Sequence, residues 1–99
     1  MKYILQGHDV VPVDDVLQWA KWFQVADRHV ANDNLSGVQV STVFLGLDHR
    51  FNLQGPPIVF ETMVFGGEFD QYQERYSSWE EAENGHAEIL QRVKTALEH

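Results

Sequence analysis

Cysteine is absent from the sequence, and proline occurs only three times in its 99 residues. The absence of cysteine excludes disulfide bonds, thiolate catalysis and thiolate metal ligands, so the fold depends on its apolar core. No apolar run approaches the ~20 residues that a membrane-spanning helix needs, and no signal-peptide pattern follows Met1. We therefore expect a cytoplasmic protein that does not contact a membrane.

Basic residues are also scarce, since seven lysines and arginines stand against fifteen aspartates and glutamates and give a net charge of −8. Such a charge disfavours direct binding to nucleic acid or to an anionic membrane. The excess of acid is concentrated from Gly66 onward, where eight acidic residues accompany three basic ones. We interpret this stretch as a solvated helix face. The alternative is an acidic surface that binds a basic partner or imitates DNA phosphates.

The overall composition, with 43% hydrophobic and 22% charged residues, is typical of a folded globular protein. The length fits one domain, and we assign residues 1–96 to a single α+β domain. The last three residues, Leu97-Glu98-His99, match what an expression vector leaves before a histidine tag. We interpret residues 97–99 as a tag remnant that has no part in a functional site.

Four stretches are predicted to be strands, the first three from their apolar and β-branched residues and the last in spite of its polarity. They are Lys2–Gln6, Val38–Leu47, Ile58–Phe65 and Gln71–Tyr76. The segment His8–Pro12 is predicted to be a turn. With two helices, the predicted order is β-α-β-β-(β)-α, an antiparallel sheet of three to four strands with both helices packed on one face.

The first helix is predicted to begin near Asp14, because Asp14 and Asp15 place acceptors and negative charge at its positive end. Apolar residues recur at spacings of three and four from Val16 to Val30, which predicts a stripe that faces the core. The polar run Asn32-Asp33-Asn34, followed by Ser36-Gly37, is predicted to end the helix.

The second helix has the clearest local signal of the chain. Ser78 and Glu81 have the spacing of a capping box, which predicts Ser78 as the N-cap. His86 follows the apolar spacing of this helix and is predicted to be a hydrogen-bonded residue at the boundary of the core. Gly85 weakens the helix by up to ~1 kcal/mol relative to alanine.

Asp48, His49 and Glu61 form the one set of acids and histidine that we consider for catalysis. A histidine flanked by carboxylates can ligate a divalent cation or act as a general base. In the simpler interpretation Asp48 caps its own turn, His49 and Arg50 are solvated, and Glu61 pairs with Arg50 or Arg75. No metalloprotease, serine hydrolase or phosphate-loop motif is present, so we assign no metal site and no cofactor.

Three further residues are candidates for binding. The positions of Trp19 and Trp22 on the first helix suit core packing. The alternative is that one of them, three residues from the other, faces outward and binds a partner. Arg50 is the one basic residue of the central hairpin and lies next to the stiff segment Gly55-Pro56-Pro57. These features suggest a lid over a small ligand.

Three segments carry a resemblance to a known family: VSTVFLGLDHRF, GPPIVFETMVFGG and QYQERYSSWEEAENGHAEIL. Between Val40 and Leu90 the chain resembles small proteins of bacteriophages and prophages that have no assigned activity. The resemblance implies a phage or prophage origin and a bacterial cytoplasm. It supplies no catalytic residue that could be transferred to this chain.

We therefore expect an accessory protein that acts by binding another protein or a second copy of itself, through the sheet face or the first-helix tryptophans, and not as an enzyme. One alternative is a small metal-dependent hydrolase that uses Asp48, His49 and Glu61. A second is a sponge for a small molecule, with Arg50 in its lid.

Overall fold

The computed structural model describes residues 1–52 and 54–98. Over these residues the chain forms two antiparallel sheets and two helices, which confirms the predicted α+β class. His99, the last residue of the suggested tag remnant, lies outside the described residues. The elements in chain order are β1 (Lys2–Gln6), β2 (Asp9–Val13), α1 (Val16–Val25), β3 (His29–Leu35), β4 (Val38–Phe44), β5 (Phe60–Phe65), β6 (Gln73–Tyr76) and α2 (Trp79–Leu97).

The larger sheet is a meander with the strand order β3-β4-β5-β6, and α2 contacts all four of its strands. Side chains alternate between the two faces of each strand. Val40 and Val64 point to one face, where they are fully buried and pack with Ile89 and Val93 of α2. No helix or strand of the described residues lies across the opposite face in the same way.

The apolar core has two parts. One lies under the C-terminal half of α2 and consists of Val38, Val40, Val64, Ile89 and Val93. The other lies at the opposite end of the sheet and consists of Tyr3, Phe44, Val59, Phe60 and Ala82. Full burial of each such valine or phenylalanine contributes about 1.5–3 kcal/mol, so these clusters fix α2 and the hairpin β1-β2 to the sheet.

The prediction of a turn over His8–Pro12 is wrong. The chain reverses at Gly7, whose φ is 61°, and β2 then pairs antiparallel with β1. Pro12 is compatible with this strand because β2 is an edge strand, which tolerates proline at positions where the N–H side faces away from the partner strand.

The first helix begins as predicted, with Asp15 as N-cap, but the prediction that it continues to Val30 is wrong. It ends at Val25, since Ala26 is extended and Asp27 accepts a hydrogen bond from the backbone N–H of His29 at 3.0 Å. No residue of α1 is fully buried. Val16, which the spacing placed in the core, is 55% exposed, because α1 packs on a two-stranded hairpin too narrow to cover a whole helix face.

The polar run Asn32-Asp33-Asn34 does not end a helix but lies inside β3, which pairs with β4. Ser36 and Gly37 connect the two strands with φ values of 50° and 83°. A type I′ turn, which is well suited to a two-residue β-hairpin loop, requires a positive φ at both central residues. The segment is therefore a hairpin whose outer, polar strand forms the edge of the sheet.

The smaller sheet and α1 contact the larger sheet and α2 at several points, and the Tyr3 backbone N–H also donates to the Gly46 carbonyl at 2.9 Å. Lys2 bridges to Leu47 beyond the end of β4. Trp22 of α1 packs edge-on against Phe44, with ring centroids 5.7 Å apart. At the hairpin tip, the ring of His8 stacks on Trp79 of α2 at 3.8 Å.

The start of α2 is as predicted, because the Ser78 hydroxyl accepts a hydrogen bond from the backbone N–H of Glu81 at 3.1 Å. Gly85 lies where the ring of Tyr76 rests on the helix backbone, and a Cβ atom at this position would overlap that ring. Neither helix of the described residues combines the length and the apolar character that crossing a bilayer requires.

Candidate functional site

The loop after β4 is organised around the carboxylate of Asp48. Its oxygens accept the backbone N–H groups of Arg50 at 2.9 Å and Ile58 at 3.1 Å, and the Arg50 Nε–H at 2.6 Å. Burial raises the pKa of Asp48, but these hydrogen bonds and the guanidinium charge outweigh it and lower the pKa below its ordinary value. Asp48 is thus an ionised anchor of the loop.

Glu61 and His49 do not join Asp48 in a site. Glu61 faces Arg75 across the β5-β6 pairing and accepts its Nε–H at 2.9 Å. His49 is exposed, and its backbone N–H donates to the Ile58 carbonyl at 2.8 Å. In residues 1–52 and 54–98, no group of three or more His, Cys, Asp or Glu side chains could hold a metal ion. The convergence that the hydrolase hypothesis requires is absent from this part of the chain.

Arg50 is held inside its own loop. Besides the contact with Asp48, its Nη1 donates to the Gly55 carbonyl at 2.7 Å, and its side chain is 16% exposed. A groove of about 90 Å³ lies beside Phe69 at the C-terminal end of α2, and Arg50 does not line it. The guanidinium therefore stabilises the loop and does not point into this groove.

Trp19 and Trp22 both have internal contacts. The Trp19 Nε1–H donates to the carbonyls of Tyr3 at 3.0 Å and Gly46 at 3.2 Å. Gly46 has a φ of 78°, and a Cβ there would lie 3.1 Å from the Phe23 ring, so a glycine allows the backbone to approach α1 this closely. The two tryptophans thus join α1 to β1 and β4.

The uncovered face of the larger sheet carries a diagonal apolar stripe, which consists of Val43, Met63 and Phe65. In the register Val43 is opposite Glu61, and Met63 is the next residue of β5 on the same face. Diagonal neighbours of this kind lie within reach of long side chains. Val43 and Met63 are half-buried and Phe65 is 40% exposed.

The two charged groups at the centre of the open face neutralise each other. These groups, Glu61 and Arg75, form an ion pair. The other members at the centre of the face are polar and uncharged, and the Gln39 amide donates to Asn32 at 3.1 Å. Since the whole chain carries −8, this face differs from the rest of the molecule in both polarity and charge.

A continuous chain of hydrogen bonds lies beneath α2. His86 Nε2 is 2.7 Å from the Asp33 carboxylate, and Nδ1 is 2.7 Å from the Thr42 hydroxyl. The Thr42 hydroxyl is 2.5 Å from that of Thr62, which accepts from the Tyr76 hydroxyl at 3.1 Å. Burial is the main reason why the pKa of Tyr76 is raised. We call these five residues the buried chain.

The order acid, histidine, hydroxyl resembles the arrangement that activates a nucleophile in hydrolases. Thr42, however, has no exposed surface, and Thr62 has none either. A substrate cannot reach the hydroxyl in this conformation, so the buried chain joins α2 to the sheet. The predicted hydrogen bonding of His86 is confirmed, although the residue is buried and not at the boundary.

Sequence reasoning missed the partners of His86, because Asp33 is 53 residues away in sequence and Thr42 is 44 away. One signal was present: Thr42 and Thr62 interrupt the apolar faces of two adjacent strands. Paired hydroxyls on buried faces indicate a polar partner on the covering helix.

Comparison with protein-family models, with curated proteins and with solved structures found no match to this chain. The function is therefore inferred from the geometry of the described residues.

Proposed function

We propose that this protein is a binding module that self-associates through the open face of its four-stranded sheet. The observation that carries the proposal is the apolar stripe Val43-Met63-Phe65 on a sheet face that no described helix covers. Antiparallel sheets bury apolar side chains by stacking face to face about 10 Å apart. A second copy of the sheet provides the matching apolar surface.

The charge distribution favours this face as the contact between two copies of the chain. Two molecules with a net charge of −8 each repel one another over most orientations. This repulsion is reduced at the centre of the open face, since Glu61 and Arg75 neutralise each other. A twofold axis near Met63 brings the two apolar stripes together and leaves the acidic helices α2 on opposite sides of the dimer.

The size of the face sets the strength of the dimer. Four strands about 4.8 Å apart and six residues long give a face of about 400 Å². A stable interface usually buries about 800 Å² per partner, so this face supports a weak dimer that forms at high micromolar concentration. Methionine at its centre suits such an interface, because its flexible side chain adapts to an irregular surface.

The proposal is tested by sedimentation velocity over a series of concentrations up to the millimolar range. The wild-type protein is expected to shift from monomer to dimer. Met63→Asp places an unpaired charge in the stripe and is expected to abolish the shift. Leu17→Asp is the matched control, because it adds the same charge at an α1 residue that is 72% exposed. It is expected to leave the dimer unchanged.

A wild-type protein that stays monomeric throughout contradicts the proposal. Equal dimerisation of the Met63→Asp variant places the interface elsewhere and contradicts it as well. Circular dichroism of each variant verifies that the fold is retained.

The sequence resemblance to phage and prophage proteins and the absence of cysteine support an extension of this proposal. In that extension the dimer is an accessory protein of phage origin that works in a bacterial cytoplasm.

A further inference from the structure

We infer that the buried chain of Asp33, His86, Thr42, Thr62 and Tyr76 is a relay, in which all the hydroxyl protons point in one direction. Protonation of His86 reverses that direction and turns the O–H of Tyr76 away from Thr62. The relay connects two residues with access to solvent, since the Asp33 side chain is 45% exposed and Tyr76 is half-buried. The three residues between them are buried.

The direction of the chain is set at the Asp33 end. A carboxylate only accepts hydrogen bonds, so the His86 nitrogen next to it, Nε2, carries a proton. In neutral His86, Nδ1 is then an acceptor and takes the proton of the Thr42 hydroxyl. The oxygen of Thr42 accepts in turn from Thr62.

The same order continues to the far end. The Thr62 hydroxyl proton is directed at Thr42, so its oxygen is free to accept the Tyr76 O–H, as the geometry shows. Every hydroxyl in the chain donates once and, except for that of Tyr76, accepts once. Neutral His86 thus has a single tautomer in which all the protons point from Tyr76 toward Asp33.

Protonation of His86 reverses this order without moving any heavy atom. Nδ1 becomes a donor, so the Thr42 oxygen must accept from it and the Thr42 proton turns to Thr62. The Thr62 proton turns to the oxygen of Tyr76, whose own O–H must find another acceptor. The one proton gained from solvent stays on His86, and the three hydroxyl protons only rotate.

The charged groups around the relay favour such a reversal at the Tyr76 end. Besides burial, the charges of Glu74 on β6 and Glu88 on α2 act on Tyr76, and so does the neighbouring Tyr72. A released Tyr76 O–H therefore lies in the field of two carboxylates, which attracts its proton. At the other end, Asp33 of β3 is the charged group in contact with His86.

The first test is the tautomer of neutral His86, read from the ¹⁵N chemical shifts of its ring in the native protein. The relay predicts a protonated Nε2 and an unprotonated Nδ1. A protonated Nδ1 in neutral His86 refutes the inference. The exposed His29 serves as a reference for a histidine outside the relay.

The second test is the coupling of the two ends during a pH titration. The ring resonances of Tyr76 are expected to shift with the same midpoint as those of His86, while those of Tyr72 do not follow it. Thr62→Val removes the connecting hydroxyl and is expected to abolish the shared transition. Thr62→Ser keeps the hydroxyl and is expected to retain it.

A Tyr76 resonance that ignores His86 in the wild-type protein overturns the inference. A shared transition that persists in Thr62→Val overturns it too, because the coupling then does not pass through the hydroxyl. If Thr62→Val fails to fold, the wild-type titration and the Thr62→Ser variant decide alone.

Discussion

Replacement of Gly85 by alanine is expected to destabilise the protein, although the same change in most helices is stabilising. Gly85 lies inside α2, and its missing side chain makes room for the ring of Tyr76. The added Cβ would overlap the end of this ring, including its hydroxyl. The ring therefore has to move away from the helix, and its hydrogen bond to Thr62 is lost or lengthened.

The expected magnitude follows from three effects. Alanine in place of glycine in a helix interior contributes about 0.8–1.0 kcal/mol of stability. Overpacking of a filled site costs about 1–3 kcal/mol. Loss of the hydrogen bond between Tyr76 and Thr62 costs about 1 kcal/mol more. The net change for Gly85→Ala is a destabilisation of about 1–3 kcal/mol, and each kcal/mol lowers Tm by about 4–8 °C at this size.

A double-mutant cycle with Tyr76→Ala isolates the contact, with free energies of unfolding measured in urea. In the Tyr76→Ala background the clash is gone, so Gly85→Ala is expected to stabilise by about 1 kcal/mol. The sign of its effect therefore depends on Tyr76. If Gly85→Ala is stabilising in the wild-type background, or has the same effect in both, the role assigned to this glycine is refuted.

Three further predictions concern the cap, the loop and α1. Ser78→Ala removes the N-cap of α2 and is expected to lower the free energy of unfolding by about 1 kcal/mol, measured by chemical denaturation. Ser77→Ala is the control and is expected to change it by less than about 0.5 kcal/mol. Equal losses in the two variants would contradict the role of Ser78 as the cap. The pKa of Asp48 is lower in the folded protein than its unfolded value of about 3.9, so its carboxylate stabilises the fold above that pH. This stabilisation is lost as the pH falls through the folded pKa. Melts between pH 7 and pH 3 are expected to show a steeper acid loss for wild type than for Asp48→Asn; identical slopes would contradict the anchoring role. Trp19→Phe removes the donor to two backbone carbonyls and is expected to cost about 1–2 kcal/mol; a neutral effect in urea denaturation would mean that Trp19 is not structural.

The parts of the fold that depend on local chemistry could be predicted from the sequence. The start of α2 follows from the hydroxyl of Ser78 and the position of Glu81, which are three residues apart and need no distant partner. The apolar strands β4 and β5 follow from their composition, although β4 ends earlier and β5 begins later than predicted. Strand ends depend on pairing partners and are poorly marked in a sequence.

The extent of α1 could not be predicted, because Ala26 and Val30 continue a helical spacing by coincidence. Strand pairing with β4 favours an extended chain from His29 onward and overrides that weak preference. The polar residues Asn32 and Asn34 suit an edge strand as well as a helix end. The choice between the two depends on the partner strand and not on these residues.

The candidate site was predictable only in part. The apolar alternation of β4 and β5 already suggested that the sheet face or the first-helix tryptophans are available to a partner. The structure gives the tryptophans internal contacts and leaves the sheet face uncovered in the described residues. The ion pair of Glu61 with Arg75 was one of two pairings considered, and the choice followed from the register of β6.

The most direct test of self-association through the sheet is an isotope-filtered nuclear Overhauser experiment on an equal mixture of ¹³C-labelled and unlabelled protein at high concentration. The account predicts intermolecular contacts from the Met63 methyl group to Met63, Val43 or Phe65 of the second copy. Intermolecular contacts confined to other surfaces, or none at a concentration where the protein sediments as a dimer, would contradict the central claim.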